Sequence, residues 1–185
     1  MAKTGIRYAV FATATVAQDG TISYSNGKWI SPVAGFNGAM NVNSQKDWGD
    51  DRAVDEESGI TGGTLTVELN RDEDDIYTFL LGHEKAESGD NAGEITYNAD
   101  DVAPFIGVGA VGKSGSKWVG KWYSLVKFHE PNDDNSTKQE TITFNHVSVE
   151  GEILIPEDGN WKKRKVFDTE ALAKAWIDDL AGISA

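Results

Sequence analysis

Residues 104–155 constrain the fold more than any other stretch, because they hold three long β-type runs in succession. The first, over 104–111, is apolar and glycine-rich. It turns at Lys113-Ser114-Gly115-Ser116 into a second run over 117–128. Glu130-Pro131-Asn132-Asp133-Asp134-Asn135-Ser136 stops that strand, and a third run covers 139–155. In the third, Ile142 and Phe144 are apolar at even positions, whereas Val147, Val149, Ile153 and Ile155 are apolar at odd ones. One extra residue near Asn145-His146 accounts for the change of phase, as a β-bulge does. A strand of that length, bent once, has room for two packing partners.

The flanking segments extend the β pattern. Residues 6–44 read as a β-meander, punctuated by Asp19-Gly20, Asn26-Gly27 and Asn37-Gly38. Each pair can supply the positive φ angles of a type I′ hairpin turn. A turn at 26–27 would set Tyr24 beside Trp29 as a cross-strand aromatic pair. Leu65, Val67 and Leu69 alternate with Thr64, Thr66 and Glu68, the pattern of a half-buried strand.

Two helices are expected. The first is capped by Asn70 or Asp72, runs to about Leu81 with Ile76, Phe79 and Leu80 on its apolar face, and ends at Gly82. Glu73, Asp74 and Asp75 fall in its first turn, where the helix dipole favours negative charge. The second is capped by Asp168 or Thr169 and runs to about Leu180, with Leu172, Ala175, Trp176 and Leu180 as its stripe and Gly182 beyond its end. The chain is thus expected to be mainly β, a single domain over 1–185 with a C-terminal helical segment at 166–185.

Residues 43–63 differ from everything around them. They are polar and acidic with no sustained period, and read as an extended loop. Some 20 residues without regular structure inside a compact domain are usually functional or disordered. Trp48 stands in this segment among charges, and either folds back on its own core or docks on a neighbouring molecule.

Charge and composition narrow the function. The formal net charge is −13, from 30 acidic and 17 basic side chains, which argues against tight wrapping of nucleic acid. The Trp161-Lys162-Lys163-Arg164-Lys165 run is better read as a solvated face or a salt-bridge partner for acidic surface than as a nucleic-acid site. With no cysteine there is no disulfide, thiolate metal site or cysteine nucleophile. No apolar run approaches the roughly 18 residues of a membrane span, and the N-terminus lacks the apolar core of a signal peptide. A cytoplasmic site of synthesis and folding is expected, with no membrane partner.

No catalytic constellation stands out. His83, His129 and His146 are scattered, outside any metal-ligand spacing, and Asp72, Asp74 and Asp75 lack the spacing of a calcium loop. Gly107-Val108-Gly109-Ala110-Val111-Gly112 lies within a strand with no helix opening after it, unlike a phosphate-binding loop. Neither enzyme activity nor a cofactor or metal is expected.

The central block resembles the major tail proteins of long-tailed bacteriophages, the tail-tube subunits, in particular those of phages with Gram-positive hosts. The residues that carry the resemblance are Leu80-Leu81-Gly82-His83, Tyr97-Asn98-Ala99-Asp100-Asp101-Val102-Ala103-Pro104, Lys121-Trp122-Tyr123 with Lys127-Phe128, Thr137-Lys138, Ile142-Thr143-Phe144 and Val149-Glu150-Gly151, in order across roughly 34–161. The resemblance implies a β-sandwich or partly closed barrel with a flanking helix. It also implies hexameric rings stacked into a tube that conducts DNA on ejection. Implied partners are further copies of the chain, a tape-measure protein, and DNA passing without specific binding. The implied location is the virion tail, assembled in the host cytoplasm. The 43–63 segment falls where that family bridges stacked rings, which makes Asp47, Trp48, Asp50, Asp51, Arg52, Asp55, Glu56 and Glu57 candidates for inter-ring or inter-subunit contact. An acidic lumen would let DNA slide without adhering. A carbohydrate-binding β-sandwich module, with some of the six tryptophans stacking on sugars, is the alternative.

Overall fold

The computed structural model describes residues 3–49, 52–132 and 146–183. Ten strands are described: β1 (Lys3–Val16), β2 (Ile22–Lys28), β3 (Val33–Gly49), β4 (Arg52–Leu69), β5 (Glu84–Lys85), β6 (Ile95–Thr96), β7 (Phe105–Ser114), β8 (Lys117–Phe128), β9 (Val147–Ile153) and β10 (Lys162–Phe167). A helical turn at Ile76–Leu80 and a C-terminal helix α1 (Glu170–Leu180) complete the chain. The protein is mainly β, as its patterning indicates.

The large antiparallel sheet runs β2-β1-β7-β8-β9-β4-β3, with β10 also paired to β8. β8 is its branch point. One edge of β8 pairs with β7 along almost its full length. The other edge is divided, with Trp118–Tyr123 on β10 and Val126–Phe128 on β9. At the changeover Ser124 N–H donates to the Trp161 carbonyl, and Leu154 N–H donates to the Leu125 carbonyl. β8 thus serves two partners on that edge, and β9, the described part of the strand expected over 139–155, also serves two, pairing with β4 over Val147–Ile153 and with β8 over Gly151–Ile153. β9 covers only Val147–Ile153, and the bulge near Asn145-His146 with Ile142 and Phe144 touches residues outside those described.

Alternation then sorts the side chains onto two faces. Phe11, Val108, Tyr123 and Phe128 meet Leu65, Val67, Leu69, Val149 and Ile153 in one buried cluster, so the two halves of the sheet close over each other in a sandwich-like arrangement. On the opposite face Val10, Ala12, Val111 and Trp122 pack under α1 through Ala173, Ile177 and Ala181. The glycines of β7 and β8 permit that seating. A Cβ on Gly109 would lie 2.4 Å from Ile177 Cγ2, and one on Gly120 would lie 2.7 Å from the Trp176 ring. The glycine-rich run of β7 therefore serves close helix-on-sheet packing.

Several local expectations need correction. Asp19-Gly20 does form a turn, with Asp19 Oδ1 accepting from Thr21 N–H and Gly20 at φ 78°. Asn26-Gly27 does not. The register passes from Phe11↔Lys28 to Thr13↔Ser25, so both residues stand opposite Ala12 alone and form a bulge, with Asn26 at φ 54°. Tyr24 therefore pairs with Ala14 instead of Trp29, and its ring meets Trp122 edge-on at 4.9 Å. Asn37-Gly38 lies inside β3, where Gly38 leaves room for the Tyr123 hydroxyl.

The expected helix to Leu81 is one π-type turn without a side-chain cap, although Gly82 ends it at φ 83°. Asp74 and Asp75 accept ion pairs from Lys85 and Lys28. Thr169 caps α1 as expected, accepting from Leu172 N–H. The buried stripe of α1 is Ala173, Ile177 and Ala181, rotated from the expected one; Leu172 is 57% exposed.

Candidate assembly surface

The 43–63 segment is a β-hairpin rather than an irregular loop. β3 and β4 pair from Val33↔Leu69 out to Gly49↔Arg52. β9 accompanies β4 only along Gly63–Leu69. Beyond Gly63 the two strands have only each other among the described residues, and they form an arm. At about 3.3 Å per residue it extends roughly 25 Å past the body. Two bulges shape it. Thr61 is extra between Asn41↔Gly62 and Val42↔Ile60, and Val54 is extra between Asp47↔Asp55 and Trp48↔Ala53. Its base is tight, since a Cβ on Gly63 would lie 2.4 Å from the Ala39 carbonyl oxygen.

Two physical features set the arm apart. A two-stranded hairpin alone in water is marginal at best, because neither edge nor face is covered. Val42 and Ile60 face each other across it and are 62% and 45% exposed. A polar surface element has no need of an apolar cross-strand pair in solvent, whereas a docking element does.

The sequence-derived contact residues are gathered at the far end. Asp47 and Trp48 lie on β3, and Arg52, Asp55, Glu56 and Glu57 lie on β4. Asp50 and Asp51 fall outside the described residues. The register sets Asp47 opposite Asp55, like charges at directly opposed positions, and Lys46 opposite Glu56.

Sequence reasoning missed a second surface. The basic run, expected as a solvated face or a salt-bridge partner, is exposed at Lys163, Arg164 and Lys165, and it forms part of β10, antiparallel to β8 with its other edge unpaired among the described residues. Lysines along an edge discourage indiscriminate strand pairing. Lys162 lies 4.7 Å from the Tyr123 ring centroid and Lys165 5.3 Å from that of Phe167. The run lacks alternating apolar residues, so no period marked it as a strand.

A third feature joins three distant segments. His83 Nδ1 is 2.8 Å from Asp101 Oδ2, and Nε2 is 2.9 Å from Glu130 Oε2. The His83 side chain is 9% exposed, and its ring lies tilted by 52° against that of Tyr97, with centroids 4.6 Å apart. Burial disfavours the charged ring, but the two carboxylates outweigh it and hold the pKa above the usual histidine value. Asp101 is lowered by His83 and by the Asn98 N–H. Because both ring nitrogens face acceptors, the arrangement suits imidazolium, which donates from both. It is a clamp between the helical turn, the 98–101 turn and the end of β8.

No protein-family model matches the chain, and no curated protein matches it.

Proposed function

We propose that this chain is a tail-tube subunit, a structural virion protein that self-assembles into stacked hexameric rings and forms the conduit for DNA ejection from a long-tailed phage. One observation carries the reading. A closed, well-packed sandwich extends a two-stranded arm with an exposed apolar pair and a charged end, and such an arm gains most of its stability from a neighbour. The motifs from Leu80 to Gly151 support the same reading. So does the charge of −13 per chain, which suits a surface past which DNA slides. A tape-measure protein inside the growing tube and DNA in transit are the partners that follow, with assembly in the host cytoplasm.

Removing residues 45–57 and joining the strands by a short turn tests the reading. A folded, soluble subunit that no longer stacks is the expected product. Normal tubes from the shortened chain would refute the assignment.

A glycan-binding module is the second reading, favoured by exposed Trp29 (47%), whose indole offers a face for a sugar ring. Trp29, expected to lie on an internal strand face, thus speaks for this alternative. A glycan array distinguishes the two readings, because a tube subunit should retain no sugar.

A further inference from the structure

Residues 84–104 run from the helical turn to β7 without joining either apolar cluster. All of them are described, and none is buried. β5 and β6 pair only with each other among the described residues. The two ends of the excursion meet, since a Cβ on Gly82 would lie 2.9 Å from the Val102 carbonyl oxygen. A segment without buried apolar contacts belongs to the low-stability end of a structure, where a unit opens while the core stays folded.

Polar and aromatic ties hold this segment to the body. Lys85 pairs with Asp74, ahead of the helical turn. The Tyr97 ring meets that of Tyr77 edge-on, with centroids 5.8 Å apart. His83 stands at the root. Its backbone N–H donates to the Tyr77 carbonyl, and its ring reaches Asp101 near the far end of the segment and Glu130 just past β8. Asp101 and Glu130 are the charged groups that act on the ring; Tyr97 lies against it, and His129 adjoins Glu130 in sequence.

Imidazolium donates from both nitrogens, whereas neutral imidazole carries a single N–H. Loss of the proton therefore turns a lone pair toward one of the two carboxylates. Glu130 is 52% exposed and has water as an alternative partner. Asp101 is 23% exposed and also accepts from Asn98 N–H. The tie that breaks is the one to the body.

We infer that residues 84–104 form a flap that opens as a unit, and that His83 is its latch, shut while the ring donates to both carboxylates and released when it donates to one. Ile95 and Tyr97 of the flap line a cavity of about 820 Å3 together with Asp72, Tyr77, His129 and Glu150 of the body, so opening alters that cavity. The closed flap holds the His83 proton more firmly than the open one. Latching is thus complete below about pH 6.5 and is lost as pH rises through the raised value. Lys85 is held above its usual value by its bond to Asp74 and keeps its charge throughout.

Amide hydrogen exchange of the full chain, corrected for intrinsic rates, tests the latch, because a detached two-stranded hairpin does not hold itself together. At about pH 6 the flap should be protected, yet at least about tenfold less than β7 and β8, since it opens without them. Its protection should fall about threefold or more between about pH 6 and pH 8.5. His83→Asn should show the lower protection already at the acid end, with no further fall. Glu130→Gln, at a half-exposed site, should likewise flatten the profile and serves if His83→Asn does not fold. Lys85→Ala removes a tie that does not titrate here, so it should lower protection equally at both pH values. A flap with no protection, or protected as well as β7 and β8, overturns the inference. So does a pH-dependent fall that persists in His83→Asn or Glu130→Gln.

Discussion

At the scale of single residues, the fold depends on a few positions where a side chain has no room, and one histidine is clamped between two carboxylates. Gly109 is among the tightest cases, with Ile177 Cγ2 2.4 Å from where its Cβ would stand. Its absent Cβ is the space that Ile177 of α1 occupies, so Gly109→Ala should cost about 1–3 kcal/mol through overpacking. Urea unfolding measures this, and a neutral result would mean that α1 shifts freely on the sheet. His83 supplies a pH dependence of defined sign. Its folded pKa is raised, so its contribution is fully present below about pH 6.5 and is lost as pH rises through the raised value. The lowered Asp101 works in the opposite direction, contributing above about pH 3.9 and fading as pH falls through its folded value. We expect the His83 ring protons to titrate above pH 6.5 by NMR. His83→Asn should flatten the fall in urea midpoint between about pH 6 and pH 9. An unchanged slope in that variant would remove the clamp from the account.

At the scale of elements, what the sequence disclosed depended on how many faces of each strand are buried. Leu65, Val67 and Leu69 alternate because one face of β4 there meets the core, and the strand could be read directly. The same strand beyond Gly63 leaves that core. With neither face required to be apolar, it carries no period and resembles a loop on paper. The candidate contact residues were therefore found as an acidic cluster around a tryptophan, while their pairing was not. Asn26-Gly27 failed for a different reason, because turns and bulges both need positive φ and Asn-Gly serves either. Of the expected α1 stripe, Trp176 and Leu180 pack against the core while Leu172 is exposed; Ala173 and Ile177 form the fully buried line, and Ala173, a small residue against glycine-bearing strands, attracts less notice than Leu172. An arm that exists for docking makes its own prediction. Val42→Thr with Ile60→Thr should leave the unfolding temperature within a few degrees of wild type while weakening self-association about tenfold or more. A large fall in stability with unchanged association would instead make the apolar pair part of the subunit's own core.

At the scale of the whole molecule, a body closed by its own packing carries, at the far end of β3, an arm whose two strands pair only with each other among the described residues. Such an arm suits a subunit that docks on a neighbour. The fold alone is compatible with many roles; the arm, the charge balance and the motifs together favour a tube. Electron microscopy of concentrated wild-type protein in negative stain tests that claim most directly. The account expects rings or stacked tubes with a central channel. Dispersed single particles at every concentration, with no change on removing residues 45–57, would contradict it.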